Sequence, residues 1–241
     1  MGIARIAVVA LCAGCGSAPD APPDVPIVCP TAHVARPAQC GPALDFTPIN
    51  SYQGELAIVN AREDAVAMLG GTCTGTLVAA VAGPVVLTAG HCFPMDGRVL
   101  TAFNFEDAPD GDPLVTEGTV IESSTTPDYA LIALDTLPAV TPTRLATQPT
   151  DRLAIIQHPR GNPKVVAEGS FFDSCDGTVY YVDLDTLVGS SGAGVLNRDG
   201  GLIGVHTDGD CDSGGGGTNH GSTSASIVAA SPYLQDEDLD Q

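Results

Sequence analysis

The chain has no tryptophan, few aromatics (5%) and only nine Lys+Arg against 29 Asp+Glu, a formal net charge of −20. The shortage of positive charge argues against nucleic acid or an anionic membrane surface as partner. Lys164 is the single lysine among the nine basic residues. Beyond the N-terminus no apolar run approaches 18 residues, which excludes a polytopic helical membrane protein. What is abundant is turn chemistry, with 28 Gly and 19 Pro in 241 residues. Together with 44% hydrophobic residues, this describes a turn-rich chain of short strands, neither a helical bundle nor a disordered polymer.

Residues 1–15 have the form of an export signal: Arg5, the apolar run Ile6–Leu11, then Cys12-Ala13-Gly14-Cys15. The small residues before Cys15 resemble a bacterial lipoprotein cleavage site, with Cys15 as the lipidated residue; an ordinary secretory signal is the competing reading. Both carry the protein to the cell envelope or beyond. Residues 16–45 begin with five prolines in fifteen positions and read as a tether. Removing Cys12 and Cys15 from the eight cysteines leaves six, and in an exported chain an even number implies disulfides. Zinc is the rival use, but no C-x-x-C occurs in the mature chain.

From about residue 46 short apolar runs alternate with breakers such as Ala82-Gly83-Pro84 and Arg160-Gly161-Asn162-Pro163. About a dozen strands are expected, the first over 54–60 and the last over 201–206, with a Thr- and Pro-rich seam at 136–151. Such spacing suits β-barrels or a sandwich. Residues 236–241 are expected to be a frayed acidic tail.

Three segments carry chemistry. Val85–Cys92 runs a β-branched strand into His91, Asp128 opens the apolar strand Asp128–Leu134, and small residues surround Ser191 in Gly189-Ser190-Ser191-Gly192-Ala193. Singly, each has a structural explanation: a core histidine, a strand cap, a loop. Jointly they supply the hydroxyl, the base, the orienting carboxylate and the backbone donors that acyl transfer needs.

In the order His, Asp, Ser these segments resemble the chymotrypsin-like serine peptidases, whose triad is a standard template for this chemistry. Thr88-Ala89-Gly90-His91-Cys92, Asp128-Tyr129-Ala130-Leu131 and Gly189-Ser190-Ser191-Gly192-Ala193 are similar to that family's three motifs. Gln157-His158-Pro159-Arg160-Gly161 and Asp185-Thr186 before the serine loop resemble its bacterial glutamyl- and lysyl-endopeptidase branch. The resemblance implies an all-β fold, two antiparallel six-stranded β-barrels with the active site in the cleft between them. The peptidase domain would span 46–235, with a first barrel at about 46–140 and a second at about 150–232. It further implies an exported serine endopeptidase acting on polypeptides as a monomer without cofactor or metal. His91, Asp128 and Ser191 would be catalytic, the N–H groups of Gly189 and Ser191 would form the oxyanion hole, and Asp185 and His206 would line the substrate pocket. A Cys73–Cys92 disulfide is implied as well, leaving Cys29, Cys40, Cys175 and Cys211 to pair among themselves, with a link from the N-terminal pair to the second barrel favoured.

Where trypsins carry Asp before the serine, this chain has Ser190, so cleavage-driven activation through that residue is not expected. Specificity stays open between an acidic residue before the cut, met by His206, and a basic one, met by Asp185. His158 reads as a strand-end residue at a turn. Asp208-Gly209-Asp210-Cys211-Asp212 has a calcium-loop rhythm, but Asn219 stands where the bidentate Glu belongs, so a solvated acidic loop is expected. The alternative is a surface module that keeps the fold and leaves the three residues unused.

Overall fold

Runs such as Val85–Thr88 and Tyr129–Ile132 are apolar at successive positions, which a strand tolerates only when both of its faces are covered. The computed structural model, which describes residues 29–30, 38–108 and 113–240, supplies both covers. After a short strand β1 (Thr47–Pro48) come β2 (Val66–Leu69), β3 (Cys73–Val78), β4 (Val85–Thr88), β5 (Arg98–Phe103), β6 (Leu114–Thr125) and β7 (Asp128–Leu134). They close into an antiparallel barrel in the order β2-β3-β4-β7-β6-β5. The two-residue β8 (Leu145–Ala146) lies on the connection. Then follow β9 (Arg152–Gln157), β10 (Val165–Cys175), β11 (Thr178–Val182), β12 (Gly194–Asn197), β13 (Leu202–Gly209) and β14 (Asn219–Thr223), a helix Ser224–Ala230 and β15 (Leu239–Asp240). The path β12-β9-β10-β11-β14-β13 closes through the β12–β13 pairing into a second six-stranded barrel.

Side-chain alternation divides the core three ways. Val86, Ala130 and Ile132 fill the first barrel; Leu153, Ile155 and Val195 fill the second. Their neighbours Val85, Leu87, Tyr129, Leu131, Ala154, Ile156 and Leu196 point the other way, into one cluster shared by the two barrels. A period-2 strand with two apolar faces therefore serves one barrel and the inter-barrel seam at once.

Several expectations are corrected. Residues 54–60 form turns leading into the helical turn Val59–Arg62, which brings Leu56 and Val59, three residues apart, into the inter-barrel cluster with Ile58 packed against it. β14 lies beyond 201–206, the last strand expected; its strand character comes from pairing with β11 and β13. Asp236–Asp240 is not frayed: Asp238 accepts from the Val81 N–H (2.6 Å) and Leu239 pairs with Leu145. Thr47–Pro48 pairs with Val165–Val166 of the second barrel, not with the first. Residues 1–28, including Cys15 and the export signal, lie outside the described residues.

Three disulfides join six of the eight cysteines: Cys73–Cys92, Cys29–Cys175 and Cys40–Cys211. The last two tie the N-terminal segment to the second barrel across 146 and 171 residues of sequence. No helix among the described residues is long and apolar enough to cross a membrane.

The lone lysine is wholly buried. Lys164 Nζ donates to Glu63 Oε2 (2.6 Å), Glu106 Oε1 (2.7 Å) and the Glu63 carbonyl (2.8 Å), and Asn50 donates to Glu106 Oε2 (2.8 Å). Burial acts to raise Glu106, but Lys164 and Asn50 outweigh it and hold the carboxyl below its ordinary value. The cluster fastens the entrance of the first barrel to the start of β10. Lys164→Met would leave these carboxylates uncompensated, a loss of about 3–5 kcal/mol. Because protonation relieves them, urea unfolding of this variant should show a larger deficit at pH 8 than at pH 5.

Candidate active site

β4 ends at Thr88, and the chain turns through Gly90–Cys92. A Cβ at Gly90 would lie 1.9 Å from the Ser124 carbonyl oxygen, so only glycine lets this turn press against β6. The turn delivers His91 to the mouth of β7, where Asp128 waits. Asp128 Oδ1 accepts from the His91 N–H (3.0 Å) and Oδ2 faces His91 Nδ1 (2.7 Å). The carboxylate thus fixes both backbone and ring of the histidine. Asp128 is itself held by its N–H, which donates to Ser222 Oγ (3.0 Å) of β14 in the second barrel.

The His91 pKa is raised above the ordinary imidazole value. Its hydrogen bond to Asp128 is the main cause, burial opposes it, and the charges of Asp128 and Asp208 add to the rise. Asp208 was expected in a solvated loop. It is instead half-buried at the end of β13, and burial raises its own carboxyl. The rest of that loop satisfies itself: Asp212 Oδ1 accepts from Gly214 N–H (2.7 Å) and Asp210 Oδ1 from Thr218 N–H (2.8 Å).

Ser191 lies between β11 and β12 in a loop whose polar groups are almost all engaged. Ser190 N–H donates to Leu187 O (2.9 Å), Leu187 N–H to Ser190 Oγ (3.0 Å), Ala193 N–H to Ser190 O (3.0 Å) and Gly192 N–H to His206 O (2.8 Å). Three carbonyls are drawn outward: Val188 O accepts from Arg160 N–H (2.6 Å), Gly189 O from Thr74 Oγ1 (2.8 Å) and Ser191 O from Thr74 N–H (2.9 Å). In a trans peptide N–H and C=O point oppositely, so turning Val188 O toward Arg160 turns the Gly189 N–H the other way. Gly189 achieves this at φ 98°. Among the described residues the N–H groups of Val188, Gly189 and Ser191 donate to no protein group, and the last two flank Ser190 on the side of the serine. The Cys92 sulfur lies 3.9 Å from the Ser191 carbonyl oxygen, so the Cys73–Cys92 bridge abuts the loop beside His91.

The remaining expected residues are buried around the serine loop. Asp185 is 1% exposed, and its carboxylate accepts from the N–H groups of Cys40 (2.6 Å) and Asp45 (2.7 Å), which anchors the N-terminal segment. His206 is also buried, its Nδ1 2.5 Å from the Tyr181 hydroxyl. Burial, then the neighbouring His220 and His91, push its pKa down to about 3, which favours the neutral imidazole. His158 is buried at the turn after β9, stacked on Phe105, with Nδ1 3.0 Å from Asn162 O and its N–H donating to Thr74 Oγ1 (3.0 Å). Sequence reasoning passed over Thr74, Arg160 and Ser222, whose side chains or amides orient the site. A lone Thr or Ser carries no pattern, and only the fold brings them there.

No curated protein sequence matches the chain. Its fold is similar to that of a protease from M. tuberculosis in its active form (TM-score 0.58, 16% identity, covering 86% of this chain and 94% of that one). It is similar also to a Glu endopeptidase (0.56, 22%, 78% and 96%) and to a serine endoprotease from Yersinia pestis (0.57, 17%, 71% and 62%). The sequence profile of the trypsin-like peptidase domain matches residues 73–205, more than half of the chain and the whole stretch from β3 through the serine loop to β13. The chain therefore belongs to the trypsin-like peptidase family.

Proposed function

We propose that the protein is an exported serine endopeptidase that cleaves polypeptides through His91, Asp128 and Ser191. The observation that carries this reading is the two-point grip of Asp128 on His91, beside the unspent N–H groups of Gly189 and Ser191. A carboxylate on Nδ1 fixes the tautomer that leaves Nε2 as the base. Ser191 Oγ then attacks the scissile carbonyl carbon as its proton passes to His91. The Gly189 and Ser191 N–H groups receive the oxyanion, with no reorganisation at the moment of reaction. Collapse breaks the C–N bond as His91 returns the proton to the leaving amine, giving an acyl-enzyme. Water, deprotonated by His91, attacks this ester; the acid product leaves and Ser191 regains its proton.

Export is supported by the three disulfides, which persist in oxidising compartments. In this reading the chain is tethered by lipid at Cys15, with the proline-rich segment as spacer and the region from about 46 to 235 as the peptidase domain.

Ser191→Ala and His91→Ala should each lower kcat/KM by about four to six orders of magnitude, and the double variant little further, because the members act as one unit. A purified Ser191→Ala variant retaining a tenth of the activity would sink the proposal. The pH profile gives a second check. Neutral His91 is the active form and its pKa is raised, so kcat/KM should climb with pH through a limb above 6.5, the ordinary value. Asp208→Asn removes a negative charge that favours the imidazolium, so the limb should move to lower pH, while the plateau changes little. An unmoved limb would exclude Asp208 as a contributor.

A further inference from the structure

The residues expected to wall the pocket for the side chain before the cut, Asp185–Val188 and the strand around His206, are joined by a third element from outside the matched region. Ala38 and Cys40 of the N-terminal segment insert behind them. The Ala38 carbonyl accepts from Thr186 N–H (3.1 Å) and from Asn219 Nδ2 (3.2 Å), and the same Asn219 amide donates to Leu184 O (2.8 Å). Asp185 grips the following residues through the Cys40 and Asp45 amides, Gly41 N–H donates to Asp212 O (3.0 Å), and Cys40–Cys211 fixes the segment covalently. Ala38 is 1% exposed and Asn219 is fully buried.

The facing wall is Gly209, at the end of β13. A Cβ there would lie 2.0 Å from Asn219 Oδ1 and 2.5 Å from the Ala38 Cβ. Ala38 and Asn219 thus occupy the space that β13 and the Asp185–Val188 segment would otherwise leave between them. Asn219 Oδ1 is buried and accepts no hydrogen bond among the described residues.

The geometry points to Ala38 and Asn219 as the floor of the specificity pocket, limiting the residue before the cut to a small, uncharged side chain. This rests on the peptidase reading above and names its substrate class. Size follows from the filled space. The Asp185 carboxylate is turned onto Cys40 and Asp45, His206 is neutral and tied to Tyr181, and the remaining charge on these walls is Asp208, whose field acts on His91. A buried Glu of substrate would find no counter-charge there, and the filled space leaves no room for the long side chains of Lys and Arg.

The test uses the full-length protein and matched fluorogenic peptides that differ only in Ala, Leu, Glu or Arg before the cut. Ala should exceed Glu and Arg in kcat/KM by about 100-fold or more. Ala38→Gly and Asn219→Gly deepen the pocket and should each raise the Leu/Ala ratio about tenfold or more. Ala38→Gly removes one methyl group, which keeps the test usable if Asn219→Gly does not fold. Asp185→Asn should lower all four rates together and leave the Arg/Ala ratio unchanged. A fluorophosphonate without a recognition side chain counts competent Ser191 in every preparation, so ratios are read on folded enzyme. Normal labelling with dominant cleavage after Glu or Arg would overturn the floor alone. So would a Leu/Ala ratio unmoved in a folded floor variant, or a selective loss of Arg cleavage in Asp185→Asn. Absence of labelling in the native protein would remove the peptidase reading, and the floor with it.

Discussion

A single buried threonine in the first barrel sets the position of the serine loop in the second. Thr74 lies on β3 with no exposed surface. Its N–H holds the Ser191 carbonyl, its hydroxyl donates to the Gly189 carbonyl and accepts from the His158 N–H, and its carbonyl accepts from Thr88 Oγ1 (2.7 Å). One residue therefore fixes both ends of the Gly189–Ser191 stretch and the β4 strand that leads to His91. Buried backbone groups must be paired, and here the pairing crosses the seam between barrels, so the two halves of the site cannot shift independently without stranding polar atoms.

The seam is apolar elsewhere, and the division of labour follows from chemistry. The shared cluster of Val85, Leu87, Leu131, Ile156 and Leu196 holds the barrels together without direction, since hydrophobic burial is insensitive to small rotations. Orientation comes from the polar links at its rim: Thr74 to the serine loop, Asp128 to Ser222, and Lys164 to Glu63 and Glu106. Each requires distances near 2.6–3.0 Å, which is the tolerance a proton-transfer site needs.

Much of this was legible in the sequence because it depends on local patterns. The spacing of short apolar runs suited barrels or a sandwich, the family resemblance implied two barrels, and the three motifs put His91 and Asp128 at strand ends and Ser191 in a loop of small residues. Two kinds of feature stayed hidden. β14 consists of Asn219-His220-Gly221-Ser222-Thr223, a poor strand by propensity, and is made one by neighbours on either side. The role of Asp185 was hidden because its partners, Cys40 and Asp45, are 145 and 140 residues away, and their backbone amides donate to it. An acid six positions before the serine looks like a specificity residue until one knows what faces it.

The chain's charge bears on the same question. A net charge of −20 surrounds a histidine already favoured toward its cationic form by Asp128 and Asp208. Such a field repels acidic peptides as they approach, most strongly at low salt. The neutral His206 does nothing to reverse it, since the energy of bringing a charge so deep exceeds what the buried surroundings return. Selection for an acidic side chain would need a fixed cation near the serine loop. The lone lysine is spent on Glu63 and Glu106, and Arg160, whose backbone N–H binds Val188 O, carries its charge on an exposed side chain rather than in the buried walls. In the proposed reading, the charges around His91 and the packing of Ala38 and Asn219 favour a substrate whose recognition depends on shape.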